Sequence, residues 1–261
     1  MTGLRKAKGI LLVIVLLAAG LASLARAEVV QSGHVRVTFG GDLSPRALPR
    51  QGTAPVRVAV DAKIGATDSG TPPQLRRIAI AINRYGRFTP QGLPICTLRA
   101  IQPSTTANAL AACRASLVGE GQFSAKVLLS QQAPFPASGK VYAFYGSLHG
   151  KPAILAHVYG TDPVPTSFTL VFTIKSTRGT FGSVLEADLP EATGNSGYIT
   201  GLSLNLGRNF SYHGQKRSFL SASCPAPKGF PGASFPFAKA SFGFGRKTLT
   251  STLTRSCKVR G

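Results

Sequence analysis

The chain has 261 residues and carries 30 Lys and Arg against 9 Asp and Glu, a formal net charge of +21. Hydrophobic residues make up 43%, enough to bury a core and to exclude a disordered chain. The 29 Gly and 18 Pro exclude a fold of long helices.

Residues 1–27 read as a secretory signal peptide. Arg5, Lys6 and Lys8 form a positive leader, and Ile10 to Leu17 is an unbroken apolar run. Ala25-Arg26-Ala27 supplies the small-x-small pattern before a cleavage at Glu28. The apolar stretch is shorter than the ~20 residues a spanning helix needs, so contact with a membrane is expected only if this segment stays uncleaved. Cleavage removes Arg5, Lys6, Lys8 and Arg26, which leaves 26 basic and 9 acidic residues and a net charge of about +17 on residues 28–261. A field of that sign attracts polyanions outside the cell.

The rest of the chain alternates with period two, the strand signature. In order, the alternation predicts strands at Val35–Phe39, Pro55–Asp61 and Leu75–Ile82. Further strands are predicted at Phe123–Leu129, Val141–Tyr145, Ile154–Tyr159 and Ser167–Ile174. The last group is Val184–Leu189, Ile199–Leu206, Phe219–Ser223, Phe235–Phe244 and Lys247–Thr254. The clearest is Ser167–Ile174, where Phe168, Leu170, Phe172 and Ile174 share a face. Turn residues separate the strands at Gly40-Gly41, Ser69-Gly70, Ser138-Gly139, Gly194-Asn195 and Phe230-Pro231-Gly232. Ser104 to Leu117 breaks the pattern: Ala109, Leu110, Cys113 and Leu117 fall on one helical face behind a Ser104 or Thr105 cap. The predicted fold is therefore all-β and mainly antiparallel, a large β-sandwich or two stacked β units, with one short helix near 104–118. Residues 28–261 read as a single β-rich domain, with a subdomain boundary, if there is one, at 131–139.

Four cysteines lie beyond the leader: Cys96, Cys113, Cys224 and Cys257. Export favours disulfides, and proximity in sequence favours Cys96–Cys113 and Cys224–Cys257 over the other two pairings. Each is worth roughly 3–4 kcal/mol in the loop-entropy picture. The spacing fits no metal motif, and no metal or other cofactor is expected.

No motif fixes a reaction. There is no Walker pattern, no HExxH, and no GxSxG elbow to present a serine beside His157. His157 reads as an ordinary sheet or surface histidine and His213 as part of a basic loop with Arg208, Lys216 and Arg217, and Asn209-Phe210-Ser211 matches a glycosylation acceptor. Glu186 and Asp188 are two positions apart on a predicted strand and share a face, a spacing roughly 6–7 Å that suits a pair of glycosidase carboxylates. That makes a secreted glycan hydrolase the alternative reading. Arg84, Tyr85, Arg87 and Phe88 interleave bases with aromatics, and Arg246 and Lys247 form a second basic group. Both patterns suit contact with a polyanion by charge and stacking, and Lys and Arg at such places also protect strand edges.

Two segments resemble an uncharacterised family of secreted actinobacterial proteins to which no function is assigned. The first runs from Leu93-Pro94-Ile95-Cys96 through Ala109–Cys113 to Leu117-Val118-Gly119-Glu120-Gly121. The second runs from Ser221-Ala222-Ser223-Cys224-Pro225 through the Phe-rich hairpin to Cys257. Together they cover well under half the chain. The resemblance implies an exported, disulfide-bearing β protein and brings no ligand or catalytic residue with it. The expectation is a non-enzymatic module of the cell envelope, secreted or held there. Its partner would be an anionic wall polymer, a glycan or an envelope protein; nucleic acid is not expected.

Overall fold

The computed structural model describes residues 27–128, 131–160, 165–189 and 197–260. The leader, Leu129 and the Gly194-Asn195 turn lie outside the described residues. The first third of the chain forms β1 (Glu28–Ser32), β2 (Val35–Ser44), β3 (Ala47–Leu48), β4 (Ala54–Pro55), β5 (Arg57–Ala66), β6 (Arg77–Asn83) and β7 (Gly86–Phe88). Two short helices follow, α1 (Leu98–Ile101) and α2 (Thr106–Cys113), and a 3-10 turn at Arg114–Ser116. The long strands come next: β8 (Leu117–Val127), β9 (Phe135–Leu148), β10 (Lys151–Gly160), β11 (Thr166–Ser176) and β12 (Phe181–Asp188). The chain ends with β13 (Gly197–Leu206), β14 (Asn209–Tyr212), β15 (Gln215–Ser218), β16 (Leu220–Ala222), β17 (Gly232–Phe244) and β18 (Lys247–Val259).

Thirteen of these strands make one sheet, in the order β1-β2-β5-β13-β8-β9-β10-β11-β12-β6-β17-β18-β3. Its pairings are antiparallel apart from β18 with β3. The all-β class is as the alternation predicts, and the two layers of the predicted sandwich are halves of one sheet that curls over on itself. β18 lies against β1 and β2, far from it in the strand order. Two contacts mark the approach of the β17–β18 hairpin to β2. The Phe39 and Phe242 rings meet edge to face at 5.9 Å, and Arg255 Nε donates to the Gly41 carbonyl at 2.7 Å. Residues 131–139 join neighbours that pair directly, since Phe135 faces Val127.

Alternation decides which residues fill the curl. Val35, Val37 and Phe39 of β2 point inward and are buried, as are Leu170 and Phe172 of β11 and Leu249 and Leu253 of β18. Outward positions carry Arg36, Lys63, Lys126, Lys140, Lys175, Lys239 and Lys258, all exposed. Apolar inside and charged outside is the reverse of a membrane-spanning barrel, whose outer band is apolar. No helix among the described residues is long and apolar enough to cross a membrane.

A three-stranded sheet, β4-β16-β7, covers one end of the curl. Phe219 is its anchor, fully buried between Phe88 at 5.6 Å and Tyr145 at 6.0 Å. The Cys224–Cys257 disulfide ties the exit of β16 to β18. On the opposite face of the sheet, α1 and α2 cover β9 and β10 over a second, small core of Ile101, Ala109, Phe144, Ala153 and Leu155. Cys96–Cys113 pins this helical cap. The Thr105 side chain accepts from the Asn108 amide and starts α2, as predicted. Both disulfides are the pairings that sequence proximity favours, and an oxidising, extracytoplasmic setting follows from them.

Candidate functional site

The residues singled out by sequence lie in three places. Arg84 and Tyr85 form the turn between β6 and β7, with the Arg84 guanidinium 5.3 Å from the Tyr85 ring centre. Arg84 and Arg87 are exposed; Phe88 is half-buried and packs on Phe219, so it belongs to the core. Arg246 and Lys247 sit in the β17–β18 turn and are exposed. The register pairs Ala238 with Ile82 and Gly243 with Arg77, which puts the two basic groups at opposite ends of β6. They are separated by roughly 20 Å of strand. One small ligand does not touch both; a polymer does.

Glu186 and Asp188 share a face of β12, as predicted, and face bases. Lys175 Nζ lies 2.5 Å and Arg77 Nη2 2.9 Å from Glu186 Oε2, while Arg77 Nη1 reaches Asp188 at 3.8 Å. The Lys175 ammonium, reinforced by Arg77, holds the Glu186 carboxyl below the usual carboxylate range. A general acid needs the opposite shift, toward neutral pH, and a concave pocket around it. Asp188 is 82% exposed. The pair is an ion-paired patch on a solvated strand.

The structure brings together a different set. Register aligns a row of outward-facing residues across the sheet: Asp42 opposite Ala59, Ala59 opposite Asn205, and Asn205 opposite Glu120. Glu120 is in turn opposite Tyr142, Tyr142 opposite His157, and His157 opposite Thr169. At Tyr142 the row passes under the helical cap, so His157 and Thr169 are buried while Glu120 and Asn205 are exposed.

The open half of the row lies in a groove of about 690 Å³ that spans β2, β5, β13 and β8. The small side chain of Ala59 leaves its floor low. Arg57 and Arg208 line it with Glu120, Asn205 and Asp42. Asp42 is held by Arg46 and accepts from the Leu43 amide at 2.8 Å. Arg208 is fixed by its Nη1, which donates to the Leu117 carbonyl at 2.7 Å and the Arg114 carbonyl at 3.0 Å. The groove thus presents a fixed guanidinium, a second guanidinium, an amide and a carboxylate, the donors and acceptors that hydroxyl-rich and anionic chains require. Sequence inspection did not find it, because its residues come from four separated strands and carry no local motif.

Among the described residues there is no cluster of His, Cys, Asp and Glu fit to hold a metal. Compared with protein-family models, with curated proteins and with solved structures, the chain matches none.

Proposed function

We propose that the protein is an exported, non-enzymatic module of the cell envelope that holds an anionic glycan along the β2-β5-β13-β8 groove. The observation that carries this reading is the placement of Arg57, Arg208, Asn205 and Glu120 side by side in one open groove. Charge supports it. Residues 28–261 carry 26 Lys and Arg against 9 Asp and Glu, so the field around the protein is positive. Long-range attraction then gathers the polymer, and the groove supplies directional hydrogen bonds. The exposed groups at Arg84–Arg87 and Arg246–Lys247 extend contact to a chain long enough to reach past the groove.

The test is retention on immobilised acidic wall polysaccharide, with a neutral glucan as control, at low and at 1 M salt. At 1 M salt screening shortens to about 3 Å, and retention on the acidic polymer falls steeply. Arg57→Ala lowers affinity about 5- to 10-fold, as loss of one charge-assisted contact does. Equal retention on the neutral glucan, or affinity unchanged by both Arg57→Ala and Asn205→Ala, overturns the groove as the binding site.

A further inference from the structure

The antiparallel order gives the curl two ends, and each connection between its long strands falls at one or the other. One end receives 45–56, 84–116, 149–150, 177–180 and 207–231, together with Arg260 beyond β18. These segments hold twelve Arg and Lys and no Asp or Glu. Eight of the twelve are exposed, Arg84, Arg178, Lys228 and Arg260 among them. The connections at the opposite end hold, among the described residues, Arg76, Arg246 and Asp68, with Lys247 at the start of β18. Charge is therefore gathered at one end of the molecule.

The same end carries exposed apolar side chains. Of the 15 Phe, only Phe230 is exposed, at 61%. Its turn is locked. The Phe230 amide donates to the Pro227 carbonyl at 3.1 Å, and Gly229 between them takes a positive φ of 89° that suits glycine. Arg50 Nη2 donates to the Phe230 carbonyl at 2.7 Å, and the Val259 amide donates to the Pro231 carbonyl at 2.7 Å. Cys224–Cys257 ties the entrance of this loop to β18. The ring is thus held out in solvent by a fixed support, with Lys228 two residues before it. Ile95, 58% exposed, lies at the same end, beside the Cys96 bridge to Gly146 of β9.

We propose that this end docks on an anionic lipid bilayer, with Phe230 and Ile95 entering the interface and the surrounding bases on the headgroups. Two features select a bilayer over a polymer chain. The bases come from five separate connections spread over one end of the curl, which matches a charged surface better than a line of charge. Apolar side chains project among them, and a bilayer gives such side chains a place out of water beneath an anionic layer. Each Lys or Arg brought to such a surface adds about five-fold to affinity. Acid-free connections at this end leave no carboxylate there to oppose the contact. The contact is independent of the leader.

The experiment uses the chain from Glu28, which holds every strand described and lacks the leader's own affinity for lipid. The sequence contains no Trp, so Phe230→Trp places a single tryptophan at the tip of the turn. Vesicles of equal parts phosphatidylcholine and phosphatidylglycerol shift its emission to the blue and shield it from acrylamide. Phosphatidylcholine vesicles do so only at lipid concentrations at least about ten-fold higher. In co-sedimentation with the mixed vesicles, the double variant Phe230→Ala with Ile95→Ala binds at least about ten-fold more weakly. Lys228→Ser with Arg260→Ser weakens binding about 25-fold. All four side chains are exposed, so the melting temperature stays as it was. Phe230→Ala leaves retention on acidic polysaccharide unchanged, which separates this end from the groove. Emission that mixed vesicles do not move overturns the proposal, as does co-sedimentation indifferent to the loss of both apolar side chains. An equal blue shift with duplex DNA or soluble acidic polysaccharide gives this end to those polyanions and overturns the bilayer.

Discussion

His157 on β10 stands directly opposite Thr169 on β11, and both side chains are buried. The cap over this part of the sheet buries Ile101 from α1 and Ala109 and Cys113 from α2. Tyr142 on β9 is its other cross-strand neighbour. An imidazole in such surroundings is held neutral. Burial pushes its pKa below the ordinary value, and only the Ile101 carbonyl pulls the other way.

The consequence is acid sensitivity. The unfolded chain takes up this proton more readily than the folded one. Stability is therefore full above a pH of about 6.5 and falls as the pH drops below it, by up to about 1.4 kcal/mol per pH unit. Urea unfolding at pH 8, 6.5 and 5 measures this. His157→Phe keeps the ring and removes the titration, so it flattens the dependence between pH 5 and 6.5 while leaving stability at pH 8 equal or higher. An unchanged slope in that variant assigns the acid sensitivity to another group.

The two disulfides differ in what they secure. Cys96–Cys113 closes a loop of separation 17 around the cap, and Cys224–Cys257 one of separation 33 between the end sheet and β18. Replacing either pair by Ala costs about 3–4 kcal/mol of global stability. Hydrogen exchange separates them. Loss of Cys96–Cys113 speeds exchange first in α1, α2 and the amides around His157, because these are held to the sheet through the small core. Loss of Cys224–Cys257 speeds exchange first in β16 and in the edge formed by β18 and β3.

Fold class was legible because most strands bury one face, and alternation records that directly. In β11, Phe168, Leu170, Phe172 and Ile174 do line the interior side. Three kinds of information were not legible. Strands of two or three residues, such as β3, β4 and β7, are too short to show a period. β10 reads as a nearly continuous apolar run, Ala153–Val158, because the core covers one face and the helical cap the other. The alternation also hid that His157 lies beneath a cap. The groove depends on register between strands distant in sequence, which no local pattern carries. The aromatic-basic run at Arg84–Phe88 misled in one residue: Phe88 has the composition of a stacking platform and the position of a core residue.

Glu186 is set up for ion pairing, which yields a prediction opposite to that for a hydrolase. Its lowered pKa means the carboxylate stabilises the fold above the ordinary carboxylate value of about 4.5, and that contribution is lost as the pH falls through the lower folded value. Glu186→Gln costs under about 1 kcal/mol at pH 7, because both partners are half in water. It also leaves retention on acidic polysaccharide unchanged, since Glu186 is outside the groove. Side-by-side glycan turnover assays of the native protein and Glu186→Gln close the question: equal product from both excludes Glu186 from any hydrolysis observed.

Two glycines of the same sheet, one strand apart across β13, give opposite expectations for the same substitution. Gly121 on β8 lies between β13 and β9, opposite Leu204 and Val141. A Cβ there would stand 1.9 Å from the Ser203 carbonyl oxygen, a backbone atom that moves only if the strand moves. Gly65 on β5 has nothing within 4 Å of the same position. Gly121→Ala is therefore expected to cost about 2–3 kcal/mol through strain in the tight part of the curl. Gly65→Ala adds about 0.4–1 kcal/mol, because Ala restricts the unfolded chain and meets no clash. Paired urea titrations measure both. The groove adds a second readout, since Asn205 and Glu120 flank Ser203 and Gly121 along their strands. A shift of β8 against β13 in Gly121→Ala weakens polysaccharide retention even where the protein remains folded, and Gly65→Ala leaves it intact.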